Sequence, residues 1–407
     1  MTPAAGAGPA TPDSTRIVIA LGTTQTLAWA SSTYLPAILA TPIARDLGLS
    51  RATVFGAFSV ALLVMAAIGP AAGRAIDRLG GRDVLLVSNL VLAAGLTLLG
   101  LAQNALMLFG AWCILGAGMA LGLYDAAFAA LVRIFGTAAR KPITGITLIA
   151  GFASTVGWPL TAFMDAQIGW RSACFCWAGL HLVLGLPLNW KFIPLPLVRG
   201  TAPAASAAIP GAHPHVPAGE RRRAFWLLAM FSAVTAFVTS AMAAHLPGLL
   251  AAMGAGTAAA VMAAALLGPA QVAARFAEFA AASRLRFHPL ISARIATGLH
   301  PLGALLLIVF GGPPLAAAVF AVLHGAGNGM ITIAKGTLPL ALFGPDGYGA
   351  KQGWLGVGAR TMQAAAPYVF GLVLESLGGV VALLLSSSLS LIALLLLMAL
   401  RAPRATL

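Results

Sequence analysis

Twelve apolar runs of about 20 residues each, separated by short gaps, leave this chain few ways to fold. Inside hydrocarbon every backbone N–H and C=O must find a partner within the protein, so a run of that length reads as a membrane-spanning helix. The first six spans are predicted at about 16–40, 52–71, 84–102, 105–130, 142–165 and 172–192. The second six are predicted at about 224–251, 257–280, 289–310, 314–342, 353–375 and 379–400. The runs are continuous in Ala, Leu, Gly and Val rather than alternating, which excludes a transmembrane β-barrel.

Composition agrees with lipid as the main solvent. The chain has 407 residues, of which 60% are hydrophobic and 8% charged, whereas a soluble domain carries roughly 25% charged residues to wet its surface. The net charge of +14 is spread through the gaps between spans, as at Arg74, Arg78 and Arg82 or Arg221, Arg222 and Arg223. No basic and aromatic stripe forms a face for nucleic acid. With the N-terminus inside, the external loops hold Arg45, Arg51 and Arg171, and nearly all other basic residues fall inside. A multi-pass protein of the cytoplasmic (inner) membrane with both termini cytoplasmic is therefore expected. The opening MTPAAGAGPATPDSTR has no basic and apolar signal-peptide pattern, so the first span is expected to serve for targeting. Cys113, Cys174 and Cys176 lie within apolar runs and support neither a disulfide framework nor a metal site. No cofactor is expected, and no nucleotide-binding loop is present.

Residues 193–223, rich in Pro, Ala and Gly and ending in three arginines, read as a cytoplasmic linker without a core of its own. Its His-Pro-His at His213 and His215 reads as solvated loop. The linker divides the chain into 1–192 and 224–407, each with six spans. The halves repeat one another. Tyr34-Leu35-Pro36 matches His245-Leu246-Pro247, and Gly69-Pro70-Ala71 matches Gly268-Pro269-Ala270. Gly116-Ala117-Gly118 matches Gly325-Ala326-Gly327, and Pro159 matches Pro367. The matches keep their order at offsets between 199 and 211 residues, as internal duplication requires. The fold class expected is an all-α membrane protein, twelve transmembrane helices in two pseudo-symmetric six-helix bundles, with a site between them near the midplane.

The most specific local signal is Gly73-Arg-Ala-Ile-Asp77-Arg78-Leu-Gly80-Gly81-Arg82, between spans 2 and 3. Gly80 and Gly81 permit a tight reversal, Asp77 suits the positive end of a neighbouring helix, and Arg78 and Arg82 suit phosphates or carboxylates. The motif resembles the loop signature G-x-x-x-D-R-x-G-R-R/K of the major facilitator superfamily, with Gly81 where a basic residue is usual. Gly169-Trp170-Arg171, between spans 5 and 6, resembles a W-R dipeptide common there in the superfamily. In the second half the signature is reduced to Arg275-Phe-Ala-Glu278 and the basic stretch after it.

The resemblance implies a secondary transporter. Drug/proton antiporters of the superfamily often carry Arg in span 4, but Trp112-Cys-Ile-Leu-Gly116-Ala-Gly118 has none. The glycine pattern of antiporters in span 5 is also incomplete, at Gly151 and Gly157-Trp158-Pro159. Spans 1 and 4 look closer to organic-anion and monocarboxylate-like members. Small residues such as Gly116, Gly118, Gly145, Gly151, Gly325, Gly327 and Gly329 allow close helix packing, and in a transporter they allow one bundle to rock on another.

Ionisable groups inside spans are costly and so mark candidate functional positions. They are Asp125 in span 4, His245 in span 7, His324 and Lys335 in span 10, and Arg360 in span 11. The resemblance implies that spans 1, 4, 7 and 10 line a central cavity. Asp125 and Lys335, at nearly equivalent places in the two halves, are expected to attract one another across it. Arg360 can snorkel to the cytoplasmic surface instead. Span 1 adds Gln25, Trp29 and Ser32 on a shared face, with Tyr34 nearby, as hydrogen-bonding and stacking groups for a ligand. The expected function is proton-coupled, alternating-access transport of a small organic solute, an organic anion among the candidates, by a monomer in contact with membrane lipids. Efflux of a drug or toxic metabolite is the alternative, and a non-transporting receptor comes after it. Among the few polar residues no enzyme's nucleophile–base cluster is seen.

Overall fold

The computed structural model describes residues 13–195, 218–285, 288–311 and 313–400, and every regular element in them is a helix. The linker residues His213 and His215 lie outside the described residues. The first half consists of α1 (Ser14–Ser31), α2 (Leu35–Asp46), α3 (Arg51–Leu79), α4 (Gly81–Gly100), α5 (Ala105–Gly122), α6 (Tyr124–Phe135), α7 (Arg140–Ala150), α8 (Ala153–Leu180) and α9 (Leu186–Phe192). The second half consists of α10 (Ala218–Ala252), α11 (Thr257–Ala265), α12 (Leu267–Leu285), α13 (Pro289–Phe310), α14 (Pro314–Phe343) and α15 (Tyr348–Ala399).

Eight helical runs are long and apolar enough to cross a membrane by length and composition. Two exceed any single pass: 88 residues from Ala105 to Phe192 and 52 from Tyr348 to Ala399, where about 20 suffice. The departure from helical geometry inside α8 is Gly169, with φ 78°, and inside α15 it is Gly378, with φ 84°. A side chain is strained at such angles and glycine is not. These two breaks stand 209 residues apart, an offset within the range of the sequence repeats.

The first predicted span, 16–40, is broken in the structure. α1 stops at Ser31 and α2 begins at Leu35 with Pro36 in its first turn, where a missing N–H costs nothing. The fourth span is broken too. α5 ends at Gly122, Leu123 is extended, and α6 starts at Tyr124. A Cβ on Gly122 would lie 1.8 Å from Ser88 Oγ, so only glycine fits against α4 there.

Large apolar side chains such as Leu106, Val183, Leu315 and Leu395 are well exposed. In water they would favour aggregation; in a bilayer they are the surface that lipid wets. Inside, one apolar core gathers Leu39, Leu62, Leu96, Trp112 and Trp177 from the first half. Another gathers Phe237, Leu249, Leu307, Phe320 and Phe370 from the second. A third core, around Phe128, Leu131 and Ile143, also takes in Leu340 and Tyr348 and so joins the halves.

The tightest junction of the halves is the crossing of α3 and α15. Gly69 and Gly73 on α3 meet Gly349 and Gly353 on α15, each pair spaced as in G-x-x-x-G. A Cβ on Gly73 would fall 1.9 Å from the Gly349 carbonyl oxygen, and one on Gly353 would fall 2.4 Å from that of Gly69.

Candidate functional site

Asp77 lies in the last turn of α3, and its carboxylate reaches the start of α15. Oδ1 accepts the backbone N–H of Gly349 at 2.9 Å, and Oδ2 accepts that of Ala350 at 2.8 Å. α15 has no side-chain cap of its own, because its N-cap position is Gly347. Asp77 thus does from the other half what an Asp N-cap does locally, and its charge meets the positive helix end. Gly80, at φ 89°, ends α3 and opens α4. A Cβ on Gly81 would stand 2.2 Å from that of Ala130, so the usual basic side chain has no room here. Arg82 stacks over Trp190, and Arg78 is exposed.

Further along α15, beside Gly356, lies the charged centre. Asp125 is in the first turn of α6, a position that the break at Leu123 creates and that the helix dipole favours for a carboxylate. Its Oδ2 accepts Arg360 Nη2 at 3.0 Å, and its Oδ1 accepts Gln352 Nε2 at 3.1 Å. Arg360 also donates to Gln363 Oε1 at 2.9 Å. Both members of the ion pair are largely buried, with side chains 16% and 24% exposed. A cavity of about 10 Å³ adjoins them, bordered by Met65, Ala120 and the α3–α15 glycines; it has room for a single water.

This corrects the expected Asp125–Lys335 pair. Among the described residues the ion pair of Asp125 is with Arg360, which does not snorkel away. Lys335, on α14, lies within electrostatic range of both charges, and its carbonyl accepts Gln352 Nε2 at 3.3 Å.

A further buried cation, outside the site residues expected from the sequence, lies on α12. Arg275, assigned from the sequence to the reduced loop signature, is 5% exposed inside that helix. It donates to the Thr147 carbonyl on α7 at 3.0 Å and to the Gly329 carbonyl on α14 at 3.3 Å. At 3.4 Å it reaches Gln271 Oε1 and Thr332 Oγ1. All four acceptors are neutral. The ion pairs among the described residues are Asp13–Arg16, Asp46–Arg171 and Asp125–Arg360, so this guanidinium has no carboxylate partner there. Its lone signal in the sequence was a basic residue inside the apolar run 257–280.

Arg275 lies within electrostatic range of Tyr34 and Tyr124. These belong to an aromatic cluster: Trp29 stands 4.9 Å from Tyr124 and 6.1 Å from Tyr34, and Tyr34 stands 5.7 Å from Trp158. Trp29 Nε1 is buried with no acceptor.

The other candidates are placed elsewhere. Gln25 donates to the Gly122 carbonyl, which the α5–α6 break leaves without its helical partner. Ser32 donates to the Ala28 carbonyl of its own helix. His245 faces the Pro367 carbonyl within the second half, at 2.8 Å, and His324 meets His300. Arg171 donates to the Gly100 and Ala102 carbonyls and pairs with Asp46 at 2.8 Å, tying three loops of the first half together.

The described residues are all-helical, with the Asp125–Arg360 pair held between α6 and α15. The sequence profile of the Major Facilitator Superfamily matches residues 21–299. The chain belongs to that superfamily. No protein among the curated sequences matches significantly. Among solved structures, the human organic anion transporter MFSD10 (TETRAN) is similar, with a TM-score of 0.71 at 18% identity, covering 95% of this chain and 100% of its own. A variant of the Escherichia coli fucose:proton symporter FucP has a TM-score of 0.68 at 15% identity, covering 93% and 97%. FucP in the outward conformation gives 0.70 at 14%, with the same coverage. At such identities the likeness shows the fold.

Proposed function

We propose that this transporter moves a small organic anion across the cytoplasmic membrane by alternating access, coupled to protons, with residues 1–192 and 224–407 as the two rocking bundles and 193–223 as a cytoplasmic linker. The observation that supports an anion is Arg275. A lone cation at this depth costs about 2.5–3.5 kcal/mol on insertion scales. An entering carboxylate offsets that cost through charge-assisted, fork-shaped hydrogen bonds. The adjoining rings of Trp29, Tyr34 and Tyr124 offer an apolar wall, and Trp29 Nε1 offers a donor. The printed activity of MFSD10, organic anion transport, and that of FucP, proton symport, fit this reading.

The α3–α15 crossing, the Asp77 cap and the Asp125–Arg360 pair lie at one end of the interface. With both termini cytoplasmic, this end is the cytoplasmic one, closed, and opening it would part Asp125 from Arg360.

The experiment is a thermal-stability screen of the purified protein against small carboxylic acids and their uncharged amides. A bound carboxylate raises the apparent stability by mass action. We expect one or more acids, and no amide, to stabilise the protein, and Arg275→Gln to remove the response. The proposal fails if no acid stabilises the wild type, or if Arg275→Gln responds as the wild type does.

A further inference from the structure

The second half holds a buried polar cluster that the anion site does not use. His300 on α13 and His324 on α14 meet Nδ1 to Nδ1 at 2.8 Å. The other nitrogen of His300, Nε2, stands 3.1 Å from Ser386 Oγ on α15, and Ser386 Oγ is 3.0 Å from the Leu383 carbonyl. Phe320 lies against both rings. A cavity of about 20 Å³ borders the pair, lined also by Thr239, Thr297, Asn328 and Ser390. That volume holds a water, and the polar lining would bind one.

A neutral imidazole carries one N–H. A bond between two Nδ1 atoms therefore needs one ring to donate and the other to accept. If His324 donates, His300 carries its hydrogen on Nε2 and gives it to Ser386, whose hydroxyl turns to the Leu383 carbonyl. If His300 donates, its Nε2 accepts the Ser386 hydroxyl, and the hydrogen of His324 moves to Nε2. Both arrangements leave every group from His324 to Ser386 satisfied. They differ in the tautomer of both rings. Adding a proton at His324 Nε2 in the first arrangement makes one imidazolium. The Nδ1 proton can then pass to His300 Nδ1, which moves the charge to that ring, and the bound proton is released by the reverse path through His324 Nε2.

Near-equivalent spans of the first half hold a contrasting network. Asn89 on α4 and Ser31 on α1 flank His181 at 2.9 and 2.8 Å, and Asn89 Nδ2 donates to the Leu85 carbonyl. Asn89 Oδ1 can only accept, so it fixes a hydrogen on His181 Nδ1. There the tautomer is locked; at His300–His324 it is free.

We propose that the His300–His324 pair, with Ser386, is a proton-binding site that takes up one proton per transport cycle. This rests on the proton-coupled reading above and names the residues that carry the proton. Among the described residues no Asp, Glu, Lys or Arg lines the cavity, and α10 contributes Thr235, Val238 and Thr239. The titratable group that faces each ring is the other ring. Arg294, on the same helix as His300, is turned to the Leu397 and Leu400 carbonyls.

The test is ¹⁵N-histidine NMR of the full-length protein in micelles between about pH 5 and pH 8, the range in which imidazoles commonly titrate. A ¹⁵N–¹⁵N coupling across the Nδ1–H···Nδ1 bond marks this pair among the seven histidines of the chain without any substitution. We expect both rings to shift together as one proton binds, while His181 keeps its tautomer. If both rings stay neutral down to pH 5, the proposal is overturned. A second arm uses vesicles loaded with a pH dye and the acid identified by the stability screen. His324→Gln should cut acid-driven proton flux at least tenfold while leaving that acid's thermal shift in place. Wild-type flux that survives His324→Gln overturns the histidine site and leaves the proton-coupled reading standing; absence of flux in the wild type overturns that reading itself.

Discussion

Asp125 and Arg360, 235 residues apart in sequence, close a 3.0 Å ion pair between the two halves of the protein. The pair can persist only while α6 and α15 stay together, so a state open at this end must break it. Removing one partner leaves the other buried alone, which costs about 3–5 kcal/mol in a dry site and less at this partial exposure. We expect Asp125→Asn and Arg360→Gln each to lower thermal stability and transport, and the double variant to be more stable than Asp125→Asn alone. Melting of the purified variants checks this. Equal melting of Asp125→Asn and the wild type would refute the pair's role.

Lys335 provides the contrast. It senses the pair without making an ion pair among the described residues. Lys335→Gln should lower thermal stability less than Asp125→Asn does, because it breaks no ion pair, and a double-mutant cycle with Asp125→Asn should show a smaller coupling than the cycle with Arg360→Gln. A larger coupling to Lys335 would restore the pairing first expected from the sequence.

Asp77→Asn keeps one carbonyl oxygen for two backbone N–H groups and loses the charge at the helix end. A loss of about 1 kcal/mol is expected, or roughly a fivefold shift away from the closed form. A single cysteine at Ala126, which borders the cavity beside Asp125, reports it on a background lacking Cys113, Cys174 and Cys176. Labelling from the Asp77 side should speed up by that factor. Unchanged labelling would show that the cap does not hold the gate.

Gly73→Val places branched carbons where the Gly349 carbonyl now sits. The protein should still insert in the membrane, and the closed end should no longer form. The Ala126 cysteine would then label at the rate of an open protein, and transport would stop. Normal transport by Gly73→Val would mean that α3 and α15 never approach as closely as this during the cycle.

If the linker is cytoplasmic, as the positive-inside rule leads us to expect, a cysteine in place of His213 should react with an impermeant reagent in inverted vesicles and not in intact cells. Labelling from outside intact cells would reverse the orientation.

The spans and the Gly73–Arg82 motif were legible because both are local: one is a run of composition, the other a fixed spacing around a turn. Asp125 and Arg360 were each legible through the cost of burying charge, but their pairing was not. Internal symmetry pointed from Asp125 to Lys335, whereas the break at Leu123 starts α6 afresh and sets Asp125 beside α15. The same break explains Gln25, which looked like a ligand group and instead satisfies the carbonyl that the break exposes. Arg275 was visible as a residue and misplaced by the motif assigned to it. The pairing of His300 with His324 depends on how α13 faces α14, which spacing along one helix does not reveal.

At Gly69, Gly73 and Gly353, where α3 crosses α15, the touching atoms belong to main chain on both sides. A glycine seat has no rotamer to reset and no side-chain disorder to lose, so parting and rejoining it leaves the surfaces unchanged. The crossing therefore acts as a plain bearing. Wear in such a joint comes from added bulk rather than lost contacts, and even one methyl group there would jam it.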